Sequence, residues 1–251
     1  MTRVLALLLS FSLILPTVVR ADQKALTLRA KDAVALLYSQ SASGTMDMHC
    51  TATAYQKTPT GYLFVSAAHC IGSDDRQKEK SARSDKPFYI TFDEVKTMKK
   101  FYPARIVWVG YQHRGEDLLV LSVDTTEKWP TIPIGDEKVL ADGAAILNVA
   151  SPLGLGKQVF HGIIASLFLD RPVIEGDINW TGSMVLQLAG VGGGSSGSAI
   201  ISEEKEAIVG FLVGIIGGST IIGIPASRFH AVQRAIDAKT YRWYEAPTVL
   251  P

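Results

Sequence analysis

Cysteine is scarce in this chain: 251 residues contain only two, Cys50 and Cys70. Two cysteines cannot staple a disulfide scaffold together, and they exclude a cysteine-rich zinc module. An excess of charge of either sign is also missing, because 25 basic side chains face 24 acidic ones for a formal charge of +1. That balance gives no electrostatic case for nucleic acid or an anionic membrane surface as partner. There is no HExxH, the histidines have no ligand-like spacing, and no metal site is expected. Internal repeats and Pro-rich linkers are lacking as well. What is present is 47% hydrophobic and 20% charged residues, a globular composition with ample apolar mass for a core. At roughly 100 to 200 residues per domain, the length allows one large domain or two small ones.

The first 21 residues, MTRVLALLLSFSLILPTVVRA, carry an early Arg3, an apolar stretch from Val4 to Leu15, a Pro16 breaker, and small residues at Val19 and Ala21. This is the layout of a secretory signal peptide cut ahead of Asp22. Its apolar part is shorter than the roughly 20 residues a bilayer-spanning helix requires, and Arg20 closes it. The expectation is a secreted or periplasmic protein with no stable membrane anchor after cleavage. Removal of Arg3 and Arg20 changes the formal charge to −1. Export also makes a disulfide chemically permissible.

From Ala33 the chain is punctuated by short apolar or alternating runs: Ala33 to Tyr38, Cys50 to Tyr55, Tyr62 to Ala67, Phe88 to Phe92, Arg105 to Val109 and Leu118 to Val123. The second half continues with Ala144 to Ala150, Gln158 to Leu167, Met184 to Leu188, Ser198 to Ser202, Ile208 to Ile216 and Thr220 to Ile224. Each reads as a strand bounded by turn residues, and together they predict an all-β sandwich or barrel pair. The polar stretch Ser73 to Lys86 reads as a solvated loop, and the Gly/Pro-rich stretch Trp129 to Gly143 as the join between halves. From Ser227, a candidate cap, Phe229, Val232 and Ile236 fall at helical spacing, so a single terminal helix is expected over about 227–243.

Three segments carry chemistry. Val65-Ser66-Ala67-Ala68-His69-Cys70 sets a histidine just after a strand, beside a cysteine able to pair with Cys50 on the strand before. Asp117 opens the apolar strand Leu118 to Leu121, where a carboxylate can point inward and orient an imidazole. Gly192-Gly193-Gly194-Ser195-Ser196-Gly197-Ser198 sets a serine among glycines immediately before another apolar run. A serine hydroxyl is a weak nucleophile until an imidazole takes its proton, and the imidazole needs a carboxylate to fix its tautomer. Glycines ahead of the serine let backbone amides turn toward a developing oxyanion, where one donor is worth about 3 kcal/mol of barrier. The reading is Ser196 as nucleophile, His69 as general base and acid, Asp117 as orienting carboxylate, and the amides of Gly194 and Ser196 as oxyanion hole. The remaining histidines, His49, His113, His161 and His230, read as structural or surface residues, and Asn179-Trp180-Thr181 as a chance match to a glycosylation acceptor.

The order His, Asp, Ser separates this arrangement from the subtilisin and α/β-hydrolase orders. The chain resembles the trypsin-like serine proteases, and within them the HtrA (DegP-type) peptidase domains. SAAHC at Ser66 to Cys70 is similar to the histidine motif, DLLVL at Asp117 to Leu121 to the aspartate motif, and GSSGSA at Gly194 to Ala199 to the serine motif. ASPLGLGKQVFHGIIASL, Ala150 to Leu167, and GIPAS, Gly223 to Ser227, carry the HtrA likeness. The resemblance implies two six-stranded antiparallel β-barrels over about 33–128 and 144–226, within a peptidase domain spanning 22–251. It also implies a cleft between the barrels holding the active site, and a disulfide joining Cys50 to Cys70 as in the chymotrypsin branch. Ser195 stands where those families usually carry Asp or Asn, and Ser198 where Gly is common. No PDZ domain is expected after the peptidase, nor activation by an inserted IVGG-type N-terminus.

The resemblance further implies a primary specificity pocket lined by Leu188, Ala189 and Gly190 and by Ile215, Ile216, Gly217 and Gly218. None is charged, so the pocket favours an uncharged, small or medium apolar residue before the scissile bond. The expected function is an exported serine endopeptidase working without cofactor on polypeptide substrates. Two rivals are a catalytically inactive or latent binding module of the same fold, motivated by the Ser195-Ser196-Gly197-Ser198 loop, and an esterase using the same triad.

Overall fold

The computed structural model describes residues 22–41, 43–71, 87–92, 100–110, 112, 115–170, 174–175, 178–217 and 219–238. The leader 1–21, the polar stretch 73–86, Gly218 and the chain beyond 238 lie outside the described residues. Six strands form a first closed antiparallel barrel: β1 (Val34–Gln40), β2 (Met46–Lys57), β3 (Gly61–Ser66), β4 (Phe88–Thr91), β5 (Tyr102–Val109) and β6 (Leu119–Asp124), in the order β1-β2-β3-β6-β5-β4. The second half adds β7 (Ala145–Ala150), β8 (Gln158–Ser166), the short pair β9 (Ile174–Glu175) and β10 (Ile178–Asn179), then β11 (Met184–Gln187), β12 (Ala199–Ser202), β13 (Ala207–Ile216) and β14 (Thr220–Pro225). All of these except the β9–β10 hairpin close a second barrel in the order β11-β14-β13-β12-β7-β8.

Each of the twelve apolar runs in the sequence corresponds to one barrel strand, because β-branched and aliphatic residues fill a pleated, half-buried surface. The runs in β7, β12 and β13 are buried almost end to end. A core cluster inside the second barrel gathers Ile146, Ile164, Met184, Leu186, Ile200 and Val209. The larger cluster fills the first barrel around Phe64, Trp108 and Leu121 and runs on through Phe211 and Phe229.

Among the described residues two α-helices accompany the barrels, where the sequence pattern predicts one. The unexpected helix, α1, covers 22–33 and carries Ala33, assigned from sequence to the first strand; β1 begins one residue later. Its buried stripe is only Leu26, Ala30 and Ala33, so two of its three core contacts are alanines, and the apolar signal is weak. The terminal helix α2 (Ala226–Asp237) begins at Ala226 after Pro225, so Ser227 is not its side-chain cap. Glu137, from the connection between the barrels, accepts the Ser227 backbone N–H instead (2.9 Å). Phe229 anchors α2, fully buried with its ring 5.0 Å from Tyr55 and 5.5 Å from Phe211. Burial of such a ring contributes roughly 1.5–3 kcal/mol.

The register of β3 against β6 prepares the site. Ser66 pairs with Leu119, so the chain leaving β3 and the chain entering β6 emerge side by side at one end of the first barrel. His69 follows Ser66 by three residues and Asp117 precedes Leu119 by two.

Candidate active site

A short 3-10 turn, Ala68–Ile71, takes the chain away from β3 and turns the His69 ring toward β6. Asp117 is fully buried and grips this histidine twice. Its Oδ1 accepts the His69 backbone N–H (2.9 Å), and its Oδ2 lies 2.6 Å from the ring Nδ1. A carboxylate oxygen only accepts, so the proton sits on Nδ1 and Nε2 remains the basic nitrogen. The disulfide Cys50–Cys70 braces the same turn from β2, its sulfurs within 4.8 Å of a His69 ring nitrogen. Sulfurs bonded to each other are not thiolate ligands, so this Cys–His–Cys group is a strut and not a metal donor set.

The serine loop comes from the second barrel and rests on the first. The Thr51 backbone N–H donates to the Ser196 carbonyl (3.0 Å), and Thr51 Oγ1 donates to the Gly194 carbonyl (2.8 Å). Gly197 has φ +81° and lies against Ser66, Ala67 and Thr51, where a Cβ would collide with backbone. That contact brings the loop up to the end of β3 two residues short of His69. Ser195 is fully buried, with its N–H donating to Gly192 O (2.9 Å) and its Oγ accepting from Gly192 N–H (3.3 Å). Ser196, half-buried, is the serine of this pair that reaches the surface.

The peptide planes of this loop are fixed by their carbonyls. Gly193 O accepts the Leu153 N–H (2.6 Å), and Ser195 O accepts the Ser198 N–H (3.1 Å). In a trans peptide the N–H points opposite to the C=O, so the Gly194 and Ser196 amides face away from those two anchors. Among the described residues neither N–H has a protein partner. Gly194 adopts φ +94° to reach this arrangement, a conformation an L side chain rarely takes.

The described pocket residues sit on one rim of the second barrel, where Leu186 on β11 and Ile215 on β13 both pair with Ile221 on β14, and Gly218 lies outside the described residues. Ala189, Gly190, Ile215 and Gly217 are exposed and Ile216 is half-buried. Leu188 turns inward and belongs to the core of that barrel, so its side chain fills space between strands. His230 donates to Gly135 O (2.8 Å) and His161 lies 2.7 Å from Glu203, while the side chains of His49 and His113 lie outside the described residues. Asn179 Oδ1 accepts from the Thr181 N–H and hydroxyl at 3.0 and 2.7 Å, a local turn that occupies the acceptor-like motif.

Several supports carry no sequence signal. Thr51 follows a cysteine in an ordinary strand, yet it links three backbone groups of the other barrel. Asn148 Nδ2 donates to Ser198 Oγ and Ala199 O (both 2.8 Å), tying β7 to the end of the serine loop. Only three-dimensional register brings these residues to the site.

A pair of six-stranded barrels with a buried carboxylate–histidine pair and a glycine-bounded serine loop at their junction is a trypsin-like architecture. The Trypsin-like peptidase domain family matches residues 50–215. The chain belongs to that family. No curated protein sequence matches it. Among solved structures it is similar to the HtrA-type protease AlgW with decapeptide, at TM-score 0.66 and 17% identity, over 86% of this chain and 67% of that one. The same protease with tripeptide gives TM-score 0.64 and 18% identity over 86% and 64%, so this chain spans about two thirds of AlgW. Deg5 is similar at TM-score 0.64 and 14% identity, over 86% of this chain and 95% of that one. At these identities the likeness is one of fold.

Proposed function

We propose that this protein is an exported serine endopeptidase that cleaves polypeptides through an acyl-enzyme, with His69, Asp117 and Ser196 as its triad. The observation that carries the reading is the double grip of Asp117 on His69 beside a serine loop fastened to the same barrel by Thr51. In this reading Nε2 of His69 takes the Ser196 hydroxyl proton as Oγ bonds to the scissile carbonyl carbon. The imidazolium, stabilised by Asp117, then gives that proton to the leaving amine as the carbon–nitrogen bond breaks. Water repeats the sequence on the acyl-enzyme and releases the acid. The Gly194 and Ser196 amides supply the two donors for the tetrahedral oxyanion, each worth about 3 kcal/mol of barrier.

The substrate class is polypeptide, supported by the family and by the peptides carried in the AlgW structures. The rim of Ala189, Gly190, Ile215 and Gly217, with half-buried Ile216 among them, carries no charge that would recompense a buried ion, so the residue before the scissile bond is uncharged and apolar. No cofactor enters this chemistry. Export rests on the leader at 1–21, and among the described residues no helix is long and apolar enough to cross a membrane.

Labelling of the purified mature protein with a fluorophosphonate probe tests the proposal, with the adduct mapped by peptide sequencing. The expected result is an adduct on Ser196 that disappears in Ser196→Ala and survives in Ser195→Ala. A folded wild-type protein that takes no label would overturn it in favour of a latent binding module, and ester turnover with no peptide cleavage would overturn it in favour of an esterase.

A further inference from the structure

The guanidinium of Arg228, on the first turn of α2, sits between the two barrels and holds a backbone carbonyl of each. Nη1 donates to Gly115 O and Nη2 to Thr181 O, both at 2.6 Å. The fit is close on both sides: a Cβ at Gly115 would come within 2.9 Å of Nη1 and one at Gly182 within 2.8 Å of Nη2. Gly115 is buried and has φ +69°, so the chain there is shaped to bring its carbonyl to the arginine. Two residues further on stands Asp117.

The stretch from Gly115 to Leu118 is held at two ends. Downstream, Leu118 O accepts the Gly110 N–H (2.8 Å), which fastens it to the end of β5. Upstream, Arg228 holds Gly115. The arginine itself is placed by a helix that cannot slide: Glu137 accepts the Ser227 N–H (2.9 Å), His230 donates to Gly135 O (2.8 Å), and Tyr55 donates to Gln233 (2.8 Å). Partial burial lowers the guanidinium pKa from its ordinary value and the Glu116 carboxylate opposes that shift; an arginine so placed stays charged. A planar fork with two donors suits two separate carbonyls, which an ammonium on a flexible stem does not match.

We infer that Arg228 is a positioning residue: by fixing Gly115 against α2 and the β10–β11 turn, it sets the Asp117 carboxylate at the distance that orients His69. This rests on the protease reading for its consequence in catalysis, but the geometry it predicts is measurable without catalysis. Removal of the fork leaves the buried Gly115 carbonyl without its donor, and the segment that presents the carboxylate keeps upstream only the turn bond from the Gly115 N–H to Gln112 O (2.9 Å) and loses its tie to α2. The short Nδ1–Oδ2 contact depends on sub-ångström placement, so it is the first feature to change.

The test compares wild type with Arg228→Met, Arg228→Lys and Gln233→Leu, the last of which cuts the Tyr55 contact of the same helix without touching the 115–118 segment. The primary readout is the downfield proton NMR signal of the His69 Nδ1–H, present only while that proton is held by the carboxylate. The second is the rate of fluorophosphonate labelling, read at a temperature where circular dichroism shows every variant folded. The expected result is a signal retained in wild type and Gln233→Leu, lost or moved upfield in Arg228→Met, and intermediate in Arg228→Lys. Labelling falls at least tenfold in Arg228→Met and less in Arg228→Lys. An unchanged NMR signal in folded Arg228→Met would overturn the inference, as would equal losses in Gln233→Leu. A wild type with the downfield signal but no labelling would sink the protease reading and leave the positioning role to be judged on the NMR comparison alone.

Discussion

Thr51, on a strand of the first barrel, holds the serine loop of the second: its Oγ1 donates to Gly194 O (2.8 Å) and accepts the Ser151 N–H (3.1 Å), while its own N–H donates to Ser196 O (3.0 Å). The hydroxyl is fully buried and bridges a backbone carbonyl and a backbone N–H of the other barrel. Gly194 O belongs to the Gly194–Ser195 peptide, which adjoins the Gly193–Gly194 peptide whose N–H is assigned to the oxyanion hole, so the bridge fixes the plane next to that amide.

Thr51→Val keeps the shape and the backbone N–H and removes only the bridge. It leaves the buried Ser151 N–H and the half-buried Gly194 C=O without their partner, at a cost of about 1–3 kcal/mol in unfolding free energy. Fluorophosphonate labelling is expected to slow about tenfold, because a displaced amide loses much of its roughly 3 kcal/mol effect on the barrier. Thr51→Ser restores both. Urea titration and labelling rates on the three proteins check this, and equal labelling in Thr51→Val would remove the residue from the machinery.

Asp117→Asn tests the carboxylate by chemistry and not by size. An asparagine amide donates where a carboxylate accepts, so it stabilises the His69 tautomer with its proton on Nε2, the nitrogen that must be basic. The expected loss in kcat is roughly 10⁴-fold with the fold intact. Circular dichroism together with turnover of an activated ester separates this from unfolding.

How much of this was legible beforehand depends on the range of each interaction. The twelve barrel strands follow from local apolar patterning, and the His69, Asp117 and Ser196 segments from short motifs whose neighbours in sequence are also neighbours in space. α1 escaped because Leu26, Ala30 and Ala33 give a stripe too slight to stand out behind an apolar leader. Ser227 misled because a serine before a helical pattern reads as a cap, yet Glu137, ninety residues earlier in the chain, supplies the acceptor. Thr51 and Arg228 act across the barrel junction and Asn148 between two strands of the second barrel far apart in sequence, and no local pattern encodes which group of a distant segment they meet. Leu188 lies on the expected segment but faces the core, a matter of strand phase at the end of β11.

The Cys50–Cys70 bond closes a loop of 20 residues that contains β3 and ends one residue past His69. Restricting the unfolded chain by a loop of that length is worth about 3 kcal/mol. Cys50→Ser with Cys70→Ser is expected to lower the unfolding free energy by that amount, and to slow labelling at Ser196 because the turn bearing His69 loses its tie to β2. Denaturant titration with and without reductant checks the first, and the labelling rate at low denaturant checks the second. A double variant as stable as wild type would mean that β2 and β3 alone hold the turn.

Tyr55 gives the fold an alkaline limit. Its ring packs against Phe229 under α2, its hydroxyl donates to Gln233, and burial with the nearby Asp237 carboxylate pushes the phenol far above its usual value near 10. The folded protein therefore holds this proton more tightly than the unfolded chain does. Below about pH 10 both states keep it and the contribution to stability is complete; above that pH the unfolded chain releases the proton while the folded one retains it, so stability falls as pH rises. The melting temperature is expected to drop between about pH 10 and 11.5, and Tyr55→Phe, which has no proton to lose, is expected to drop less over the same interval. Phe also lacks the Gln233 bond, so it starts about 1 kcal/mol lower at neutral pH. Parallel melting curves at both ends of the interval would show that Tyr55 titrates alike in the two states, contrary to its buried position beneath the helix.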